Sequence, residues 1–222
     1  MLEGITTTRA IRRYADEPVP PDVLRDIMFA ATRAPSGSNR QPFRFLVLTE
    51  GEKAAAAKSL IAAGARKVWG QKATVDRYGQ GTGEDPSSPK SRMARTMQEY
   101  VDAIDRVPVL ILACLVRYRE PTPTEGASVY PAVQNVLLAA RALGYGGVLT
   151  GFHTLVDTEL KQLLGIPPEV LIAASITLGR PLGSHGPVRR SPMGQLIYGD
   201  EWGVAPSWAV DPPGTRHTAR RS

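Results

Sequence analysis

Residues 109–116 read VLILACLV, an unbroken apolar run between Pro108 and the polar stretch RYREPTPTEG. It is far shorter than the ~18 to 20 apolar residues of a membrane span, and it has the length of a strand. A strand that is apolar at every position, rather than at every second one, must be covered on both faces. The run therefore predicts the centre of a sheet with helices packed on either side. A chain of 222 residues is long enough to supply them, since a globule of this size buries roughly 70% of its unfolded surface.

The flanking sequence supplies those layers. Val23, Leu24, Ile27, Met28 and Ala31 recur at helical spacing behind Pro20-Pro21-Asp22, predicting a helix over 21–33. Phe43–Leu48 reads as a strand, Glu52–Ala65 as an alanine-rich helix, and Met93–Arg106 as another helix. The glycine-, serine- and proline-rich stretch 79–92, GQGTGEDPSSPKSR, lacks apolar periodicity and reads as a mobile surface segment. Ser128–Leu143 is helical with Gly144 as its C-terminal cap, 147–150 a short strand, Asp157–Leu164 a helix capped by Asp157 and ended by Gly165, and Val170–Leu178 a strand. Helices and strands intermix without an internal repeat, so the core is α+β or α/β. Beyond Pro181 the chain is polar and proline-rich, and 206–222 either wraps a partner subunit or is disordered.

Several function classes are disfavoured. Cys114 lies inside the apolar run as a small buried hydrophobe, and one cysteine permits neither an internal disulfide nor a cysteine-based metal cage. His153, His185 and His217 are too scattered for a metal site. The N-terminal MLEGITTTRAIRR has no apolar signal region and no membrane span is evident, which makes the cytoplasm the expected location. The net charge of +6 raises the question of nucleic acid. It is carried by small clusters, Arg9, Arg12 and Arg13, then Arg189 and Arg190, then Arg216, Arg220 and Arg221, which suit a phosphorylated small ligand equally well; zinc-finger spacing, RNA-binding aromatic motifs and heptads are missing. No specific nucleic-acid partner and no membrane association are expected.

Between the first helix and the first strand stands APSGSNRQP at 34–42. Such residues are ordinary turn chemistry. They are also what a loop needs to approach a flat polar ring and bond along its edge, with Pro35 and Pro42 as stiffeners.

Neighbouring residues favour the second reading. TTRAIRRYADEPVP at 7–20, followed by APSGSNRQPFRF, resembles the N-terminal signature of the nitroreductase-like flavoproteins, and both halves agree in order and spacing. VQNVLLAARALGYGGVLTGF at 133–152, LGRP at 178–181 and VRRSPMGQLIYGDEW at 188–202 are similar to later family segments. The resemblance implies a single nitroreductase-like domain over 1–222. Its central sheet would be mostly antiparallel or mixed, flanked by helices, in an intertwined homodimer whose C-terminal extension wraps the partner. It also implies FMN at the dimer interface, reduced by NADPH or NADH, and ping-pong electron transfer through flavin N5 to a small electron-poor acceptor, a nitroaromatic or a quinone. Related flavin chemistry, such as reduced-FMN fragmentation or dehalogenation, or passive FMN binding, stays open.

The residues implied to hold the cofactor are Arg9, Ala10 and Arg12 on the phosphate, ribityl and pyrimidine side, with Arg189 and Arg190 closing on the phosphate. Pro35, Ser36, Gly37, Ser38, Asn39 and Gln41 would meet the flavin bound mainly by the other subunit, and Val148, Leu149, Thr150 and Gly151 would offer main-chain donors near N5. Arg12 is expected to stabilise the reduced flavin's charge near N1. Two departures stand out: Ala10 replaces the family's usual serine, and Gly37-Ser38 reverses the commoner Ser-Gly order, moving the position able to take a positive φ. No catalytic side chain and no metal ligand is expected. The segment 66–106 is expected to form a variable substrate lid, and its Lys67, Lys72, Arg77, Lys90, Arg92 and Arg95 favour NADPH through its 2′-phosphate.

Overall fold

The computed structural model describes residues 2–183 and 188–218. Two compact units are distinguished, Ala10–Gly183 and a smaller one made of Met1–Arg9 with Ser184–Ser222.

In the larger unit, the strands β1 (Phe43–Leu48), β2 (Val109–Leu115), β3 (Gly146–Thr150) and β4 (Leu171–Gly179) form one antiparallel sheet in the order β1-β2-β4-β3. This is an α+β fold, and the expected central strand is β2, buried at every position. The reason is visible in its alternation. Leu110, Leu112 and Cys114 enter one hydrophobic cluster, while Val109, Ile111, Ala113 and Leu115 enter the other. A bulge between Ala113 and Cys114 shifts the register against β4, so Ile172 joins the first cluster although Ala174, Ile176 and Leu178 join the second. Each fully buried aliphatic side chain, such as Leu110 or Ile176, contributes roughly 1.5–3 kcal/mol.

The first cluster is closed by helices α3 (Glu52–Val75), α4 (Pro89–Ala103) and α6 (Asp157–Leu164). The second is closed by α2 (Pro21–Thr32) and α5 (Tyr130–Ala142), where Asn135 Nδ2 donates to the Ala30 carbonyl at 3.1 Å. Gly144 and Gly165 end α5 and α6 with φ of 83° and 67°, the left-handed conformation that glycine adopts without a side-chain penalty.

Some expected boundaries are corrected. Helix α3 runs ten residues past Ala65 to Val75, because Trp69 finds a partner beyond it. The Trp69 ring lies 5.3 Å from that of Tyr78, and its Nε1 donates to Gln98 Oε1 at 2.9 Å. Helix α4 begins at Pro89, inside the stretch expected to be loop, because Ser88 accepts from the Ser91 N–H and caps it. Glu125–Ser128 is a 3₁₀ turn, so α5 starts at Tyr130. Asp157 is the first residue of α6 and not its cap; that place belongs to Val156.

The smaller unit holds α1 (Leu2–Thr7), a 3₁₀ turn at Met193–Gln195 and little other regular structure. Arg190 and His217 form an isolated bridge, and Asp211 accepts from the Met193 N–H at 2.9 Å. Arg216 and 206–218 are described; Arg220, Arg221 and His185 lie outside the described residues.

Candidate functional site

Among the described residues, strand β3 is an edge strand, paired only with β4. The chain at 11–15 runs along the start of that edge: Ile11 N donates to Gly147 O at 3.0 Å, Ala15 N to Arg180 O at 2.9 Å, and Leu182 N to Arg13 O at 3.0 Å. Ile11 packs so closely that a side chain at Gly146 would strike its Cγ1 at 2.5 Å. Ala10, Ile11 and Arg12 are thereby held beside Gly146 and Gly147.

Arg12 is half-buried, and its Nε is a buried donor with no acceptor among the described residues. Beside it sits a polar cluster inside an otherwise apolar core. Tyr14 Oη donates to Ile11 O at 2.5 Å and lies 2.9 Å from Thr177 Oγ1, which Tyr100 Oη approaches to 2.8 Å from the other side. Burial raises the Tyr14 pKa well above the ordinary phenol range and pushes Tyr100 up to about 12, with the Arg12 charge opposing both. Both phenols are therefore neutral donors at physiological pH. Arg12 also borders a cleft lined by Arg13, Glu99, Tyr100 and Arg106.

At the other end of β3, Val148 is buried, Leu149 is 41% exposed and Gly151 is exposed. Because Gly147 O faces away from β4 toward Ile11, the alternation of an antiparallel strand turns the Leu149 main chain to the same open edge. Gly151 has open space where a side chain would project. The Thr150 hydroxyl turns inward, 2.9 Å from Ser175 Oγ, which in turn donates to Thr150 O at 3.1 Å and lies 3.5 Å from His153 Nδ1. Burial lowers the His153 pKa, so this histidine is neutral and anchors the strand end from below.

The loop expected to edge a ring is strained and braced. Ser38, Asn39 and Gln41 have φ of 52°, 51° and 50°, so the left-handed conformation falls on three residues that are not glycine, while Gly37 is free of it. The Ser36 hydroxyl accepts from Gln41 N at 2.9 Å, and Gly37 N donates to Ser128 Oγ at 3.4 Å. Pro42 is buried, whereas Pro35 and 37–41 are exposed. The loop leads into β1, and β1 and β3 are opposite edges of the sheet, three strand spacings or roughly 14 Å apart. Within one chain the loop enters the sheet at the edge opposite β3.

Arg9, Arg189 and Arg190, all exposed, belong to the smaller unit, where Arg190 Nη1 donates to Arg189 O at 2.8 Å. The segment 66–106 contributes Trp69, Tyr78, Tyr100, Val101 and Ile104 to the core. Part of its positive charge is engaged within the chain. Lys72 pairs with Asp76, Lys90 Nζ donates to Gln80 O, and Arg92 donates to Ser87 O. Sequence reasoning missed Tyr14, Tyr100, Ser175 and Thr177. The available signal was Ser175 and Thr177, two hydroxyls at alternate positions of a core strand, a pattern that needs buried polar partners.

No group of His, Cys, Asp and Glu side chains able to hold a metal ion occurs among the described residues. The family model of the nitroreductase family matches residues 5–180. The chain belongs to the nitroreductase family. Family relatives include an NADH dehydrogenase of Thermus thermophilus, 29% identical over 85% of this chain and 90% of its own. A 4-nitrobenzoate reductase of a Nocardioides strain is 26% identical over 80% of this chain and 78% of its own. Among solved structures of the fold, a Desulfovibrio desulfuricans protein in complex with FMN superposes with a TM-score of 0.65 at 29% identity, covering 90% of this chain and 96% of that one.

Proposed function

We propose that this protein is an FMN-dependent NAD(P)H oxidoreductase that reduces a nitroaromatic or quinone acceptor by ping-pong turnover, and that it works as a homodimer in the cytoplasm. The overall change is balanced: NAD(P)H, a proton and a nitroaromatic give NAD(P)⁺, a nitroso compound and water, and a quinone gives its hydroquinone.

The observation that carries the reading is the buried Arg12 Nε without an acceptor, next to the open edge of β3. A guanidinium donor withdrawn from water calls for an acceptor, and a flavin pyrimidine edge or phosphate supplies one. The outward Leu149 main chain and the space at Gly151 suit a flat heterocycle. FMN, when bound, supplies hydride transfer at N5. The chain's own part would be to bind and orient: Arg12 would hold charge near the pyrimidine, and Leu149 and Gly151 would present main-chain donors, whereas the main chains of Val148 and Thr150, expected from the sequence to do the same, turn toward β4. We assign Arg9, Arg189 and Arg190 to a phosphate. Neutral Tyr14, Tyr100 and His153 keep the β3 floor rigid.

The opposite placement of the 35–41 loop and β3 supports a dimer in which Pro35, Ser36, Gly37, Ser38, Asn39 and Gln41 meet the partner's flavin. Phe29, Tyr130, Leu149 and Leu155 are 63%, 47%, 41% and 46% exposed in the single chain, apolar surface that a second copy would cover. Within 66–106, the exposed Lys67, Arg77 and Arg95 are the charges we assign to the lid that meets nucleotide or acceptor. Purified protein should show flavin bands that NADPH bleaches under argon and a nitroaromatic restores, with the mass of two subunits in sedimentation. Colourless protein that refuses added FMN, or a flavin that NAD(P)H leaves oxidised, would overturn the reading.

A further inference from the structure

Ser175 stands where an apolar residue would be expected. Strand β4 reads LIAASITLG, and Ser175, with no exposed surface, lies between Ala174 and Ile176, which enter the second cluster. Alanine would fill almost the same volume without a polar group to desolvate, so the buried hydroxyl needs partners. Those partners lie where the chain leaves β3.

Thr150, the last residue of β3, pairs with Ser175 across the sheet. Their side chains form a closed loop of bonds: Thr150 Oγ1 lies 2.9 Å from Ser175 Oγ, which donates to the Thr150 carbonyl at 3.1 Å. A hydroxyl has one proton, so with Ser175 donating to that carbonyl, Thr150 Oγ1 is the donor to Ser175 Oγ. His153 Nδ1 stands 3.5 Å from the same oxygen, and the His153 ring is bonded to the Ile172 main chain. Ser175 and His153 are both buried, which keeps water from competing for these bonds.

Fixing that carbonyl fixes a donor. The peptide unit is planar and trans, so the N–H of Gly151 points opposite to the carbonyl of Thr150. The carbonyl is drawn toward β4, and the Gly151 N–H therefore points out from the open edge of β3. The next peptide is held as well: Gly151 O accepts from Thr154 N at 3.1 Å and from Thr154 Oγ1 at 2.9 Å. Helix α3 backs the turn at Phe152–Leu155 so closely that a Cβ at Gly64 would overlap the Phe152 carbonyl. A donor set between two anchored peptides has little freedom to lose when it meets an acceptor.

We propose that Ser175 is a positioning residue of the cofactor site: by holding the Thr150 carbonyl toward β4, it aims the Gly151 N–H outward at the flavin ring. The inference rests on the reductase reading above and deepens it, because it assigns a buried residue that acts on the ring only through a peptide group. Ser175 itself transfers neither proton nor electron.

The test follows FMN binding by fluorescence and by the amide NMR signal of Gly151. Ser175→Ala should weaken FMN binding about fivefold, the worth of one neutral hydrogen bond. FMN should shift the Gly151 amide signal in the wild type and shift it clearly less in Ser175→Ala. Ile176→Val, which removes one buried methyl group from the neighbouring position, should lower the melting temperature and leave both the affinity and the Gly151 response as in the wild type. Wild-type affinity and an undiminished Gly151 response in Ser175→Ala would overturn the proposal, as would equal losses of affinity in Ser175→Ala and Ile176→Val. Should Ser175→Ala fail to fold, Thr150→Val decides: it removes only the donor to Ser175, and an affinity and a Gly151 response equal to wild type would then overturn the proposal. A wild type that binds FMN without moving the Gly151 signal would overturn this inference and leave the reductase reading standing. A wild type that binds no FMN would end both.

Discussion

Ile11 donates its main-chain N–H to the carbonyl of Gly147 at 3.0 Å, and this one bond seats the arginine-bearing segment against the open edge of β3. Residues 136 positions apart in the chain, counted from 11 to 147, are thereby held side by side. The seating has measurable consequences for cofactor affinity and for the stability of the sheet.

Arg12→Met should weaken FMN binding by about 10- to 100-fold, since a charged hydrogen bond contributes roughly 1.5–3 kcal/mol. The apoprotein should melt no lower than wild type, because the buried Nε has no acceptor of its own to lose. Quenching of FMN fluorescence gives the affinity and calorimetry the melting temperature. Unchanged affinity would remove Arg12 from the site.

Gly147→Ala should destabilise the fold. The added Cβ would stand 2.6 Å from the Thr177 carbonyl and 3.2 Å from Leu137 Cδ2; the leucine can move, but the carbonyl is fixed in β4. Overpacking of this kind costs about 1–3 kcal/mol, which should appear as a lower urea midpoint with unchanged m-value. A midpoint equal to wild type would mean that β3 is looser than its packing indicates.

Ser38→Gly should stabilise the protein. Removing the left-handed penalty at φ of 52° gains roughly 1–2 kcal/mol, against roughly 0.5–1 kcal/mol of added unfolded-state entropy. The net is a gain of about 0.5–1 kcal/mol. Gly37→Ala should be tolerated, because its Cβ would meet Ser128 Oγ at an ordinary 3.6 Å. The reverse ranking in thermal melts would contradict this division of roles.

Alkali should act through the buried phenols. Tyr100 is held neutral up to about 12 in the folded protein, while the unfolded chain titrates near 10.0, so the folded state keeps its proton over that interval and the unfolded state does not. Stability from this group is complete below pH 10.0 and is lost as pH rises toward about 12. Tyr100→Phe, which also removes the 2.8 Å bond to Thr177 Oγ1, should be less stable at pH 8 and should lose less on going to alkaline pH. Chemical denaturation across the pH series would show it. Parallel losses in both proteins would assign the alkaline sensitivity elsewhere.

Much of this fold is legible in the order of residues. Strand Phe43–Leu48 and the double-faced burial of β2 come from local pattern alone, because an apolar run beside breakers has few other uses. The helix ends at Gly144 and Gly165 come from backbone sterics. Arg12 and the 34–42 loop are legible too, since turn residues and guanidiniums in fixed order form a pattern. The far end of α3 is not: past Ala65 the helix is held by tertiary contacts, Trp69 with Tyr78 and Gln98 and Val68 and Ala73 against the core. The polar cluster of Tyr14, Tyr100 and Thr177 is equally hidden, because its members come from three separate parts of the chain.

By itself, then, the order of residues determined a helix-covered sheet and its middle strand, and singled out the arginines and loop that we propose for a phosphorylated heterocycle, because those patterns depend on neighbours a few positions away. Tertiary structure alone decided which hydroxyls lie beneath the site, which of Gly37 and Ser38 bears the left-handed conformation, and that the loop and β3 stand at opposite edges of one sheet. Those outcomes depend on contacts between residues distant in sequence, whose energies exist only once the strands have paired.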